Sequence, residues 1–288
     1  MSFSGEVKEE LLEHMPAARH CQMAELSAML HFCGQVGRDS EGNITLGFQT
    51  ENRGLVTKGF TLLKKTYNIG VGDSLGEAEY RDIVRGVGEF DKPVSGVLIK
   101  NSCCKRAYIR GAFLSVGSIS DPEKGYHLEF ACTDEALAEQ LKDLICGFDI
   151  EAKIVARKKY FVVYIKEGSG IVDLLNVCEA PKALMNLVNV RILKGISNSV
   201  NRRVNCETAN LAKTVTASSK QRADIEYIRD HYGIYNLPDN LRYVAEVRLE
   251  YPDATLKELG EYLDPPVGKS GVNHRLRKIC EFADKLRN

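Results

Sequence analysis

The chain has 288 residues, 44% of them hydrophobic, and its 39 basic side chains balance its 39 acidic ones. That length is enough for two packed domains. No apolar run approaches the roughly 20 residues of a bilayer crossing, and the opening MSFSGEVKEELLEH is too acidic for a secretory leader, so a cytoplasmic chain without a membrane partner is expected.

The first helical pattern to stand out is ELSAMLHFCG, Glu25 to Gly34, and it returns as YIRGAFLSVG from Tyr108 to Gly117. An offset of 83 sets Leu26 on Ile109, Ala28 on Gly111, Leu30 on Phe113 and Gly34 on Gly117. Each copy then reaches a turn with an acid and a glycine, RDSEGN and SDPEKGY, and an alternating strand: Ile44, Leu46 and Phe48 in one, Tyr126, Leu128 and Phe130 in the other. Thr50 and Thr133 open segments of helical apolar spacing, with Leu55, Phe60, Leu62 and Leu63 in the first and Leu137, Leu141, Leu144 and Ile145 in the second. Continued register of this kind indicates a duplication, with repeats at about 20–100 and 103–190 inside a domain spanning 1–195. Ser27 and Ala28, and Gly111 and Ala112, are small enough to let the two helices approach closely about a pseudo-two-fold axis.

Charge divides unevenly along the chain. Up to Val190 there are 22 Lys+Arg against 26 Asp+Glu; from Arg191 onward there are 17 against 13. Between Arg191 and Arg222 the only acid is Glu207. The stretch 196–222, rich in Asn, Ser, Thr and basic residues, reads as a basic linker with a hinge near 197–205, and Arg202, Arg203, Lys213 and Lys220 are its candidate phosphate contacts.

Helical segments fill the remainder, 223–288. The first ends at Gly233, and the second starts at Pro238 with Leu241, Val244, Ala245 and Leu249 on one face. The third, TLKELGEYL, carries a capping box of Thr255 and Glu258. The fourth, KSGVNHRLRKICEFADKLR, has an apolar stripe of Val272, Leu276, Ile279, Ala283 and Leu286. The last two make a helix-turn-helix in which Leu256 and Leu259 pack on Val272 and Leu276, and Gly260 permits close contact near the turn. Ser270, His274 and Arg277 lie opposite the stripe, flanked by Asn273 and Lys278, with Arg275 on the other shoulder and Lys269 at the helix start. Donors so placed suit base edges in a major groove and the neighbouring phosphates of double-stranded DNA. The GKS of PVGKSG is not a phosphate-binding P-loop, because Leu263 stands where that motif needs glycine.

Nine cysteines, an odd number without a CxxC pair, argue against a disulfide framework or a zinc knuckle. Adjacent Cys103 and Cys104 read as packing thiols that do not easily share one metal, so no metal and no cofactor is expected.

LSAMLHFCG and IRGAFLSVG resemble two degenerate copies of the LAGLIDADG motif of homing endonucleases, whose paired helices centre a saddle of strands. In that family an acid before the final glycine holds the catalytic metal. Cys33 and Val116 occupy those positions here, with His31 and Leu114 at the earlier acid, so the resemblance implies a fold without catalytic residues. With CCKRAYIRGAFLSVGS at 103–118 and NRRVNCETANLAKTV at 201–215, nearly the whole chain resembles the bacterial WhiA family. That resemblance implies an α+β fold: a duplicated LAGLIDADG-like α/β saddle with pseudo-two-fold symmetry, followed by an all-α helix-turn-helix domain. It also implies a non-catalytic, nucleoid-associated DNA-binding regulator of transcription in cell division, chromosome segregation or sporulation, with another transcription regulator or RNA polymerase as a candidate protein partner. The alternatives are a metal-dependent endonuclease and a division-machinery protein whose DNA binding is incidental.

Overall fold

The computed structural model describes residues 2–287. Ser2 caps α1 (Phe3–Glu13) by accepting from the Gly5 amide at 3.1 Å. There follow α2 (Arg19–Cys33), β1 (Gly34–Arg38), β2 (Ile44–Phe48), α3 (Arg53–Tyr67), β3 (Ser74–Leu75) and α4 (Glu77–Val87). The second repeat runs α5 (Ser102–Val116), β4 (Gly117–Ile119), β5 (Leu128–Cys132), α6 (Glu135–Cys146), β6 (Lys153–Arg157), β7 (Tyr160–Ile165) and α7 (Gly168–Val177). The helices α8 (Pro181–His231), α9 (Asp239–Glu250), α10 (Leu256–Glu261) and α11 (Lys269–Arg287) complete the chain.

Helices α2 and α5 have corresponding ends, Arg19 with Ser102 and Cys33 with Val116, both at the offset of the sequence repeat. They pack on each other in the core of the first unit. The contact is close: a Cβ added to Gly111 would lie 2.5 Å from the Glu25 carbonyl oxygen and 2.9 Å from the Ala28 Cβ. Ser27 serves differently, donating its hydroxyl to the Val87 carbonyl at 2.5 Å. Each repeat carries an antiparallel sheet, ordered β1-β2-β3 in the first and β4-β5-β7-β6 in the second. Ile44 and Leu46 are buried on alternate positions of β2, as are Leu128, Phe130 and Cys132 on β5. Tyr126 falls before β5 rather than in it, since the preceding turn extends through Gly125, whose amide donates to the Asp121 carbonyl. The sheets are unequal because the first repeat has only the two-residue β3 where the second has the β6–β7 hairpin.

Beneath the helix pair lies a buried ionic network. Glu25 is fully buried, with Lys58 Nζ 2.7 Å from one carboxylate oxygen and Arg110 Nη2 2.9 Å from the other. Lys58 also donates to the carbonyls of Leu11 and His14, and Arg110 donates to Glu179.

The chain divides into units between Lys194 and Gly195. The expected hinge near 197–205 is corrected by the structure: the whole stretch 196–222 is helical, inside the 51-residue α8. No proline interrupts it between Lys182 and Leu237, and its Asn, Ser and Thr residues lower helix propensity by tenths of a kcal/mol each, far less than a proline would (about 3 kcal/mol). Its face of Ala183 and Leu187 is buried in the first unit, whereas Ile192 is exposed. Every residue from Gly195 to Ala217 is exposed.

Candidate nucleic-acid interface

In the second unit, Ile225 and Ile228 of α8 pack with Val244 and Ala245 of α9, Leu259 of α10, and Val272, Leu276, Ile279 and Ala283 of α11. The capping box that starts α10 is formed: the Thr255 amide donates to Glu258 Oε2 at 2.7 Å, and the Glu258 amide donates to Thr255 Oγ1 at 3.4 Å. The turn closes through the Val267 amide, which donates to the Gly260 carbonyl at 2.9 Å. Only glycine fits at 260, since a Cβ there would lie 1.9 Å from the Val267 carbonyl oxygen. The far end of α11 is tied to α8 by Arg287 Nη1, 2.7 Å from the buried Asp224 carboxylate.

Docking by that apolar stripe leaves the opposite face of α11 free. Lys269, Ser270, Asn273, His274, Arg277 and Lys278 are exposed, and Arg275 is half-buried on the shoulder. Arg277 donates from Nε to Glu281 Oε1 at 3.1 Å, an exposed pair one turn apart. Such a pair holds the guanidinium by only about 0.5 kcal/mol, so a phosphate or guanine edge can displace the acid.

Beside the start of α11 opens a cleft of about 480 Å³, lined by Lys213, Ser218 and Gln221 of α8, Lys257 of α10, and Lys269 and Asn273 of α11, among others. The structure thus brings Lys213 to the same cleft as Lys269 and Asn273. Arg202 and Arg203 lie further back on α8, exposed and outside this cleft, and Lys220 stands 3.9 Å from Asp284. Lys257 is a cation the sequence reading passed over, because α10 was weighed only for its packing leucines; its signal was a lysine two residues after the cap. Arg248, also at the cleft, is almost wholly buried and donates to the Ala254 and Pro252 carbonyls, which commits it to holding the end of α9. Burial lowers its pKa from the ordinary guanidinium value.

The positions of the lost acids carry no carboxylate. Cys33 is buried, its thiol donating to the Met29 carbonyl at 3.1 Å and lying 3.4 Å from Ser115 Oγ, and burial pushes its pKa up. Val116 packs at the edge of the core. His31 sits beside the Tyr108 hydroxyl at 3.1 Å, and burial lowers its pKa to about 4, leaving a neutral imidazole at neutral pH.

One arrangement goes beyond the expectation of packing thiols. His20, Cys21, Cys103 and Cys104 place their ligand atoms within 4.8 Å of one another, because both adjacent pairs lie in the first turns of helices packed side by side.

Three family models match the chain: the WhiA N-terminal LAGLIDADG-like domain over residues 19–72, the WhiA LAGLIDADG-like domain over 105–197, and the WhiA C-terminal HTH domain over 200–283. Among similar curated proteins, the probable cell division protein WhiA of Lachnoclostridium phytofermentans is 48% identical, with all of each chain covered. The protein of the same name from Alkaliphilus oremlandii is also 48% identical, covering 99% of this chain and 98% of its own. Among solved structures, full-length DUF199/WhiA from Thermatoga maritima shares the fold, with a TM-score of 0.60, 24% identity and 99% of each chain covered.

Proposed function

Since the chain belongs to the WhiA family, as its full-length relatives and three domain matches establish, we propose that it is a non-catalytic DNA-binding regulator of cell division that engages duplex DNA through α11. The observation that carries this reading is the two-sided character of α11. Its apolar stripe is spent on the core of the second unit, while its outward N-terminal half offers amide, imidazole, hydroxyl, ammonium and guanidinium donors beside a lysine-lined cleft. Asn273, His274 and Arg277 would face base edges, while Lys269, Lys278, Lys213 and Lys257 would face phosphates. Arg202, Arg203 and Lys220 would extend the basic track along α8, and Ser270 and Arg275 would flank the reading face.

The finer proposal is transcriptional: promoter DNA is the target, a second regulator or RNA polymerase is the protein partner, and the nucleoid is the location, with chromosome segregation or sporulation as the regulated process. No helix among the described residues is long and apolar enough to cross a membrane. In the duplicated unit, Cys33 and Val116 offer no hard oxygen ligand for a magnesium-activated water, which supports a scaffold in place of a nuclease.

Fluorescence anisotropy of labelled duplex DNA with the full chain tests the reading. Arg277→Ala should weaken binding to a specific site by about 1–3 kcal/mol while sparing non-specific affinity. Equal affinity of parent and variant for every duplex at moderate salt would remove α11 from the interface. Incubation of supercoiled DNA with magnesium should leave it uncut.

A further inference from the structure

Four metal-ligating side chains converge at the N-terminal ends of the two central helices. The repeat offset that overlays α2 on α5 also places His20 on Cys103 and Cys21 on Cys104, so the four residues are two copies of one pair facing each other across the pseudo-two-fold. Their ligand atoms lie within 4.8 Å of one another. His20 Nδ1 is 3.2 Å from Cys104 Sγ and 3.3 Å from Cys21 Sγ. A tetrahedral zinc ion, with Zn–S bonds near 2.3 Å, holds its ligand atoms about 3.8 Å apart, so small side-chain rotations bring this set to bonding geometry.

The surroundings suit a metal. Cys21 and Cys104 are buried with Ala24 and Ala107 in a small apolar cluster separate from the main core, which fixes two ligands. His20 and Cys103 are exposed and can close over an entering ion. A cleft of about 380 Å³, whose lining includes His20, Leu98, Asn101 and Cys104, supplies the route in.

We propose that His20, Cys21, Cys103 and Cys104 form a Cys₃His site for Zn²⁺ that clamps the two central helices together. Three thiolates and an imidazole select a soft or borderline cation over magnesium. Binding forms three Zn–S bonds and one Zn–N bond and releases the three thiol protons to solvent, with no change of oxidation state. The site is distinct from the endonuclease metal position: Cys33 lies twelve residues beyond Cys21 on α2, about 18 Å along the helix at about 1.5 Å per residue.

Cobalt(II) titration of the chelator-stripped full-length protein under reducing conditions tests the site, with Zn²⁺ as competitor. The expected result is one Co²⁺ per chain, with sulfur-to-cobalt charge transfer and intense tetrahedral d–d bands that zinc abolishes. Because His20 and Cys103 are exposed, His20→Ala and Cys103→Ser should keep the parent's circular dichroism yet lose more than the roughly 10–100-fold in affinity that removing a mere supporting residue costs. Cys146→Ser, an exposed thiol elsewhere, should bind as the parent does. Absence of the tetrahedral spectrum, or parent-like cobalt affinity in folded Cys103→Ser, would overturn the assignment and return these residues to a packing role.

Discussion

Replacing Glu25 by glutamine removes the anion that faces both Lys58 and Arg110 in the core of the duplicated unit. At contacts of 2.7 and 2.9 Å and an effective dielectric constant of about 20, each attraction is worth roughly 6 kcal/mol before desolvation. Desolvation of three buried charges cancels most of that, and breaking a buried pair costs about 3–5 kcal/mol net. Both cations keep other acceptors, two carbonyls for Lys58 and Glu179 for Arg110, so the lower end, about 3 kcal/mol, is expected. For a unit of this size that is a fall in Tm of roughly 6–12 °C. Scanning calorimetry of the full chain reads it directly: the transition assigned to the first unit should move while the second stays. Asp224→Asn, at the Arg287 pair, should move the other and so identify the two. A Glu25→Gln shift below about 2 °C would refute the claim that this network holds the helix pair together.

Changing Lys213, Lys257 and Lys269 together to glutamine should reduce the slope of log K against log salt by about 2.7, or about 0.9 per phosphate contact; an unchanged slope in an anisotropy series would place the phosphates elsewhere. Gly260→Ala forces a Cβ onto the Val267 carbonyl oxygen and should destabilise the second unit by about 2 kcal/mol, read by urea denaturation and accompanied by weaker DNA binding; a neutral outcome would mean the turn yields freely. For His31, the folded pKa of about 4 lies below the ordinary 6.5, so between those values the unfolded chain takes up a proton that the folded chain refuses. Stability at this site is therefore full above pH 6.5 and declines as pH falls towards 4, by up to about 3 kcal/mol, and His31→Gln should flatten that limb of the denaturation profile.

Much of this was legible in the residues. The repeat offset predicted both ends of α5 from those of α2, because the same small and apolar letters must face the same axis. Thr255 and Glu258 announced α10, and the spacing of Val272, Leu276, Ile279 and Ala283 assigned the buried side of α11, leaving the reading face by subtraction. The hinge expected near 197–205 followed from a composition typical of loops, but composition reports propensity, and no residue there breaks the backbone pattern of a helix. Convergence of the thiols was hidden for another reason. Local spacing rules look for ligands on one turn or hairpin, whereas here the ligands come from two helices related by duplication; carrying the repeat offset back to His20 and Cys21 would have exposed them. Lys257 escaped because its contribution depends on where α8 passes, which no local pattern records.

The bare middle of α8 inverts the usual behaviour of a helix. Ordinary helices fray from their ends inward, yet this one has its flanks packed, at Ala183 and Leu187 in one core and Ile225 and Ile228 in the other, while nothing covers Gly195 to Ala217. Its amide protons should therefore exchange fastest at the centre, where opening breaks only backbone hydrogen bonds, and slowest towards the ends, where opening must also disrupt a core.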